Sequence, residues 1–236
     1  MNKPEWRGVI SSIEETAPLY DEVNEIISLR RAGKARAYAA QRLMEDNPKL
    51  VLDSGVGPGS MSIILLQGHA HSDVVALDYS SKLLGSFKVR TKDYRSRLHL
   101  IRACFEELPF RSSSFDAIVT AYALRDSTNL EKAVGEYARS IKSKGRLVVV
   151  DLGKPDNIVK RFFATVYVRF IVPLVAEILI SGRLEGNPWR IMPLTYQNLP
   201  TTSRLLEMLE ARFDLLERRM FLAGGMLVLL LRSPSS

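Results

Sequence analysis

The chain has 236 residues, 46% of them hydrophobic and 25% charged, with a net charge of +7. That is an ordinary globular composition, long enough for one sizeable core. The single cysteine, Cys104, excludes an internal disulfide and a cysteine-cluster metal site, and His69, His71 and His99 fall in no metal-ligand spacing, so no metal is expected. The basic residues are scattered and not interleaved with aromatics, which argues against a nucleic-acid partner. Residues 1–15 lack the apolar core of a signal peptide, and a cytoplasmic protein is expected.

In chain order, residues 16–44 read as one or two helices, acidic early and basic late as the helix dipole prefers. A first strand over 49–53 stops at Asp53 and opens into Gly55-Val56-Gly57-Pro58-Gly59, from which a helix over 60–67 starts. Glycines at such a turn tolerate unusual backbone angles and carry no Cβ, so a ligand can lie against the main chain. A second buried strand over 73–78 ends at Asp78, nineteen positions after Gly59. That is near the spacing at which a second strand delivers a carboxylate to a ribose. A nucleoside-containing cofactor is therefore expected.

Ser80 is placed to cap the next helix. Strands over 97–102, 114–121 and 145–151 follow, with a helix over 130–141. The last of these strands, Gly-Arg-Leu-Val-Val-Val-Asp, is too apolar for a one-sided sheet and should be central. Alternating strands and helices predict a mostly parallel sheet covered on both faces. Runs over 213–219 and 226–231, joined by the short segment 221–225, predict an antiparallel pair at one end of it.

Between these lies an apolar stretch, 158–180. Its part 162–180 is nearly long enough to span a bilayer, yet it contains Arg169, Pro173 and Glu177, which are costly at mid-membrane. A buried helix, or an amphipathic cover over an apolar cavity that touches lipid, is expected instead.

Several blocks carry a family resemblance. They are Tyr20-Asp21-x-x-Asn24, Glu106-x-Leu108-Pro109-Phe110 with Ser114-Phe115-Asp116, Ala121-Tyr122-Ala123-Leu124-Arg125-Asp126-x-Thr128, Gly145-Arg146-Leu147 with Lys154-Pro155, and Leu222-Ala223-Gly224-Gly225. In this order they resemble the class I S-adenosylmethionine-dependent methyltransferases, in particular the ubiquinone/menaquinone biosynthesis C-methyltransferases of UbiE type.

The resemblance implies a Rossmann-like α/β fold: a seven-stranded, mostly parallel sheet, an antiparallel C-terminal hairpin and an inserted helical lid. One domain over 1–236 is implied, with N-terminal helices to 48, a cofactor-binding core over 49–154, the apolar lid over 155–200 and the C-terminal helix and hairpin beyond. S-Adenosylmethionine is the implied donor and S-adenosylhomocysteine the product. The implied acceptor is an apolar small molecule with a prenyl tail, met through transient contact with a membrane surface, and a homodimer is left open.

Methyl transfer from a sulfonium needs donor and acceptor held in line with water kept out. Transfer to an aromatic carbon also needs the neighbouring hydroxyl to lose its proton. Gly55, Gly57 and Gly59 would admit the methionine and ribose parts, and Asp78 would receive the ribose hydroxyls. Asp53 would hold the loop or the methionine amino group. Cys104, Phe105 and Glu106 would border the adenine, with Tyr79 and Ala121 completing the wall and Tyr20 closing over the donor. Tyr122, Arg125 and Asp126 follow the fourth strand at the edge where open α/β sheets place their chemistry. Arg125 would polarise a phenol oxygen, and Asp126, or a water it orients, would take the proton.

The chain departs from the family at telling places. Cys104 stands where an aspartate usually accepts from the adenine amino group, and a thiol is a poorer acceptor. Asp126 replaces an asparagine, and the region after Ser28 lacks His-Arg-x-Trp. Trp189-Arg190-Ile191 replaces a Tyr-x-Tyr, and in the family these last two regions face the acceptor. A methyltransferase for another small apolar or lipid substrate is the alternative within the enzyme class. A non-catalytic, cofactor-binding membrane-surface protein is the alternative outside it.

Overall fold

The computed structural model describes residues 3–235. Three helices lead the chain: α1 (Lys3–Thr16), α2 (Tyr20–Ile27) and α3 (Arg31–Met44). The first is an addition to the sequence reading. Trp6, Val9, Ile10 and Ile13 recur at the helical period and give it an apolar stripe.

The core then alternates β1 (Leu50–Ser54), α4 (Ser60–Gly68), β2 (Asp73–Asp78), α5 (Ser81–Arg90), β3 (Leu98–Arg102), β4 (Phe115–Ala121), α6 (Leu130–Ser140) and β5 (Ile141–Leu152). Ser80 does cap α5, its Oγ accepting from Leu83 N at 3.1 Å. Strand β5 begins earlier than expected, at Ile141, because a register shift between Phe115 and Ala117 lets Ile141 pair with Phe115 of β4.

After β5 come α7 (Ile158–Val166) and α8 (Val172–Ile180), continuous through a π-helical turn at Tyr167–Ile171. Then follow α9 (Met192–Asn198), α10 (Thr202–Glu210), β6 (Asp214–Phe221) and β7 (Met226–Arg232).

The seven strands lie in the order β3-β2-β1-β4-β5-β7-β6. The first five are parallel, and β7 runs antiparallel between β5 and β6. Strand side chains alternate between the two faces. Leu52, Ile118 and Val149 pack with Tyr137 of α6 and Leu205 and Leu209 of α10. Val51, Val119 and Val148 pack on the other face against α4 and the alanine stripe Ala32, Ala35, Ala39 and Ala40 of α3. With only methyl groups on that stripe, α3 lies close to the sheet, and its first turns overhang the carboxyl edge.

A separate small core joins α2 and α8 through Val23, Ile27, Val172, Ala176 and Ile180, with Trp189. This core holds the inserted helices above the sheet. Strand order reverses between β1 and β4, and that edge is where open α/β sheets leave a crevice for ligands.

Candidate functional site

Two hollows meet above the carboxyl edge. The smaller, about 70 Å³, is lined by Asp53, Gly55, Gly57, Asp78, Tyr79, Cys104, Phe105 and Ala121 from the sheet's loops. Trp6, Ile10 and Ile13 of α1 cover it from outside. The larger, about 500 Å³, runs beneath α7 and α8 and is bounded by such residues as Ile27, Phe163, Val168, Met192, Tyr196 and Met226. Tyr20, Arg36, Tyr122 and Arg125 border both. These four side chains are the wall that the two hollows share.

The smaller cleft is built by the glycine turn. Gly59 has φ +96°, and a Cβ there would enter the Phe87 ring, so only glycine fits. Gly55, at φ +78°, leaves no room for a Cβ beside Ala123. Asp78 is buried. Gly57 N donates to its Oδ2 at 2.8 Å and Ser80 N to its Oδ1 at 2.9 Å, so backbone donors orient the carboxylate. Burial raises its pKa while these backbone donors oppose the rise. Asp53 is 1% exposed; Ser62 Oγ donates to its Oδ2 at 2.6 Å, and its Oδ1 has no partner. Burial pushes this carboxyl up to about 6, with Ser62 opposing.

Two expected residues stand elsewhere. Gly59 shapes the turn from behind, against Phe87, and does not line the cleft. Glu106 turns inward: its Oε1 accepts from Ser127 Oγ, Thr128 N and Thr128 Oγ1 at 2.8–3.0 Å. It ties the loop after β3 to the loop after β4. Cys104 borders the cleft, but its Sγ donates to Glu106 Oε2 at 2.6 Å, and burial with this carboxylate pushes the thiol up to about 12. It is a neutral thiol whose proton already has an acceptor.

At the junction, Tyr122 is buried with a left-handed φ of +62°, a strained conformation for an aromatic residue and one that clusters at functional sites. Its N–H donates to Val150 O at 2.7 Å and its hydroxyl contacts Met226 Sδ at 3.1 Å. Burial raises its pKa.

Arg125 is held by a residue the sequence reading did not single out. Its Nη1 donates to Asp151 Oδ1 and its backbone N to Asp151 Oδ2, both at 3.1 Å. Its Nε lies 3.6 Å from Asp126 Oδ1, outside hydrogen-bond range. Asp151 is wholly buried at the end of β5. Flanking carboxylates raise the Arg125 pKa against its burial. Burial pushes Asp126 up to about 7, with Arg125 opposing. Asp126 borders the small cleft only, whereas Arg125 faces both hollows.

Arg36 was also missed, although a lone charge on the alanine face of α3 is a signal for it. The Trp189 expectation is corrected. Trp189 packs into the α2–α8 core, with Nε1 donating to Asn24 Oδ1 at 3.3 Å, and among its neighbours Met192 and Tyr196 line the large cavity instead.

A family model described as the ubiE/COQ5 methyltransferase family matches residues 2–227. The chain belongs to that family. It is similar to a demethylmenaquinone methyltransferase of Thermotoga maritima, 32% identical over 84% of this chain and 83% of that one. A second relative, a ubiquinone/menaquinone biosynthesis C-methyltransferase of Syntrophotalea carbinolica, is 26% identical over 92% and 90%. In fold it resembles the N-methyltransferase NodS of Bradyrhizobium japonicum in complex with S-adenosylhomocysteine, with TM-score 0.58, 16% identity and 86% and 87% coverage.

The enzyme is thus an S-adenosylmethionine-dependent methyltransferase, and the small cleft fits that donor. Asp78 would offer its oriented carboxylate to vicinal hydroxyls, the glycine turn would admit a ligand against its backbone, and the buried Asp53 Oδ1 has no partner of its own. Bound there, the donor supplies a methyl group on a positive sulfur.

Proposed function

We propose that this enzyme methylates a ring carbon of a prenylated quinol, as the names of its demethylmenaquinone methyltransferase relatives suggest. The observation that carries this reading is the apolar cavity of about 500 Å³ that shares Tyr20, Arg36, Tyr122 and Arg125 with the donor cleft. An aromatic ring at that junction would leave its tail along Ile27, Val168 and Val172. At about 0.8 kcal/mol per buried methylene, even one isoprene unit would contribute substantially to binding.

Arg125, fixed by Asp151, polarises the acceptor oxygen. Asp126, at the threshold between its protonated and ionised forms near neutral pH, takes the proton through a water that bridges from the donor side. The tyrosines and the α7–α8 cover keep bulk water away.

The same reading places the enzyme in the cytoplasm, working at a membrane surface. The helix Ile158–Ile180 is long and apolar enough to cross a membrane. One of its faces instead packs against α2. Its other face carries Phe162, Phe163, Phe170, Leu174 and Ile178, each more than half exposed, together with Lys160 and Arg169. Such a face suits an anionic lipid surface, from which a tail would pass under Phe163 into the cavity.

The deciding experiment incubates the enzyme and donor with demethylmenaquinol and with extracted membrane lipids, and identifies products by mass. Methylated quinol supports the reading. A methylated lipid of another class, with quinol untouched, replaces it with the alternative acceptor. Flotation with anionic vesicles, lost on replacing Phe162, Phe163 and Phe170 by glutamine, tests the surface separately.

A further inference from the structure

The two hollows carry opposite charge. Asp53, Asp78 and Asp126 border the donor cleft. No carboxylate stands among the described residues that line the large cavity, whose charged members are Arg36, Arg125 and Lys160. Lys160 is exposed on α7. Arg36 and Arg125 stand at the inner end, where the cavity meets the cleft. An apolar chamber whose inner end is cationic suits a ligand with an apolar body and an oxygen-bearing, acidic head.

The two arginines are not equally satisfied. Arg125 has Asp151 at 3.1 Å and Asp126 at 3.6 Å. Arg36 is 5% exposed, yet among the described residues its guanidinium forms no ion pair and no hydrogen bond. Asp53 feels its charge without pairing. The guanidinium lies 4.7 Å from the Tyr122 ring centroid and 5.8 Å from that of Tyr20. Aromatic faces attract a cation, but they give its N–H edges nothing to donate to. Leaving a buried charge without hydrogen-bond partners is expensive. The interior's sealed, unpartnered nitrogens include Arg125 Nε but none of Arg36, so the edges of Arg36 face the hollows it borders. Arg125 lies against the same Tyr122 ring, 6.0 Å from its centroid.

An acceptor ring with a single oxygen at Arg125 would leave Arg36 without a partner. A ring with two oxygens would serve both cations at once, since they share one aromatic wall. We propose that Arg36 binds a second ring oxygen of the acceptor, so that the two arginines together select a dihydroxylated ring over a simple phenol. The proposal rests on the ring-carbon reading above and gives it a specificity-determining residue. Arg125 serves the oxygen beside the reacting carbon. Arg36 anchors the other oxygen and thereby fixes which ring carbon faces the donor. The proton balance is unchanged: Asp126 takes the one proton released at Arg125, and Arg36 donates hydrogen bonds without accepting any.

The test compares two acceptors under anaerobic, reducing conditions: demethylmenaquinol, and the matching prenylated naphthol that keeps the hydroxyl beside the reacting carbon and lacks the second. The missing hydroxyl is meta to that carbon and activates it little, so a preference reports binding. The parent enzyme should favour the quinol in kcat/KM by roughly 10- to 100-fold, the range expected for charged hydrogen bonds. Arg36→Met should narrow that preference to within about threefold. Arg36→Lys should keep part of it, because an ammonium still donates to an oxygen but without the planar fork.

Equal efficiency of the parent on the two rings overturns the proposal without any mutation. So does an Arg36→Met variant that melts cooperatively and retains the parent's preference. Methylation of neither ring brings down the quinol reading, and this proposal with it, whereas methylation of both alike brings down the proposal alone. The parent comparison stands even where a variant fails to fold.

Discussion

Replacing Arg125 by methionine removes the cation that lies between two buried carboxylates. Arg125 Nη1 lies 3.1 Å from Asp151, which has no exposed surface, and Nε lies 3.6 Å from Asp126. Breaking a buried pair by deleting one partner costs about 3–5 kcal/mol, because the remaining charge is left uncompensated.

The loss should also depend on pH. Asp126 has a folded pKa raised to about 7 from 3.8, so the folded protein holds its proton more tightly than the unfolded chain does. For a raised carboxyl, stability falls as pH climbs from the unfolded value to the folded one and then levels off. Without Arg125 the folded value rises further, and the levelling moves above pH 7. The variant's deficit should therefore be smaller and flat below pH 7 and grow between pH 7 and 9, by about 1.4 kcal/mol for each further unit of pKa. Urea unfolding of parent and variant at pH 6, 7, 8 and 9, followed by circular dichroism, measures this directly. A deficit below 1 kcal/mol, or one that stays constant from pH 6 to 9, would show that Arg125 does not compensate the two carboxylates. Donor binding should survive in the folded variant while turnover falls.

Three further outcomes are expected. The rate of methyl transfer should show an acidic limb near pH 7; Asp126→Asn should abolish that limb and lower kcat about 100-fold, with S-adenosylhomocysteine affinity retained. An unchanged rate would remove Asp126 from the proton path. Gly59→Ala forces a methyl into the Phe87 ring at a φ that alanine disfavours, and should destabilise the fold by about 2–5 kcal/mol in denaturant titrations. A shift under 0.5 kcal/mol would show that the turn relaxes freely. Cys104, held as a neutral thiol at about 12, should resist iodoacetamide at pH 8 in the folded enzyme and react once urea unfolds it. Rapid labelling of the native protein would contradict the Cys104–Glu106 bond.

The sheet, its parallel and antiparallel parts and the donor turn were legible along the chain because each is a local demand. Apolar runs such as 145–151 declare a buried strand. Gly59 declares a left-handed turn, and Asp53 and Asp78 mark where strands stop at the carboxyl edge. Helix α1 was locally encoded too, in the spacing of Trp6, Val9, Ile10 and Ile13, but its purpose was not. Only the packed chain shows those residues over the donor cleft.

What the linear order could not supply is which distant groups share a pocket. Arg125 was expected to answer to its neighbour Asp126, whereas the closer bond is to Asp151, twenty-six positions on, brought alongside by the β4–β5 pairing. Glu106, aligned with adenine-site neighbours, turned inward because Ser127 and Thr128 of another loop supply its donors. The large cavity exists only because α7, α8 and the β6–β7 turn close over α2 and α3, segments more than a hundred residues apart. Hydrophobic periodicity and backbone conformation are properties of neighbours in sequence. The volume left between elements, and the charges stranded at its walls, are properties of their packing.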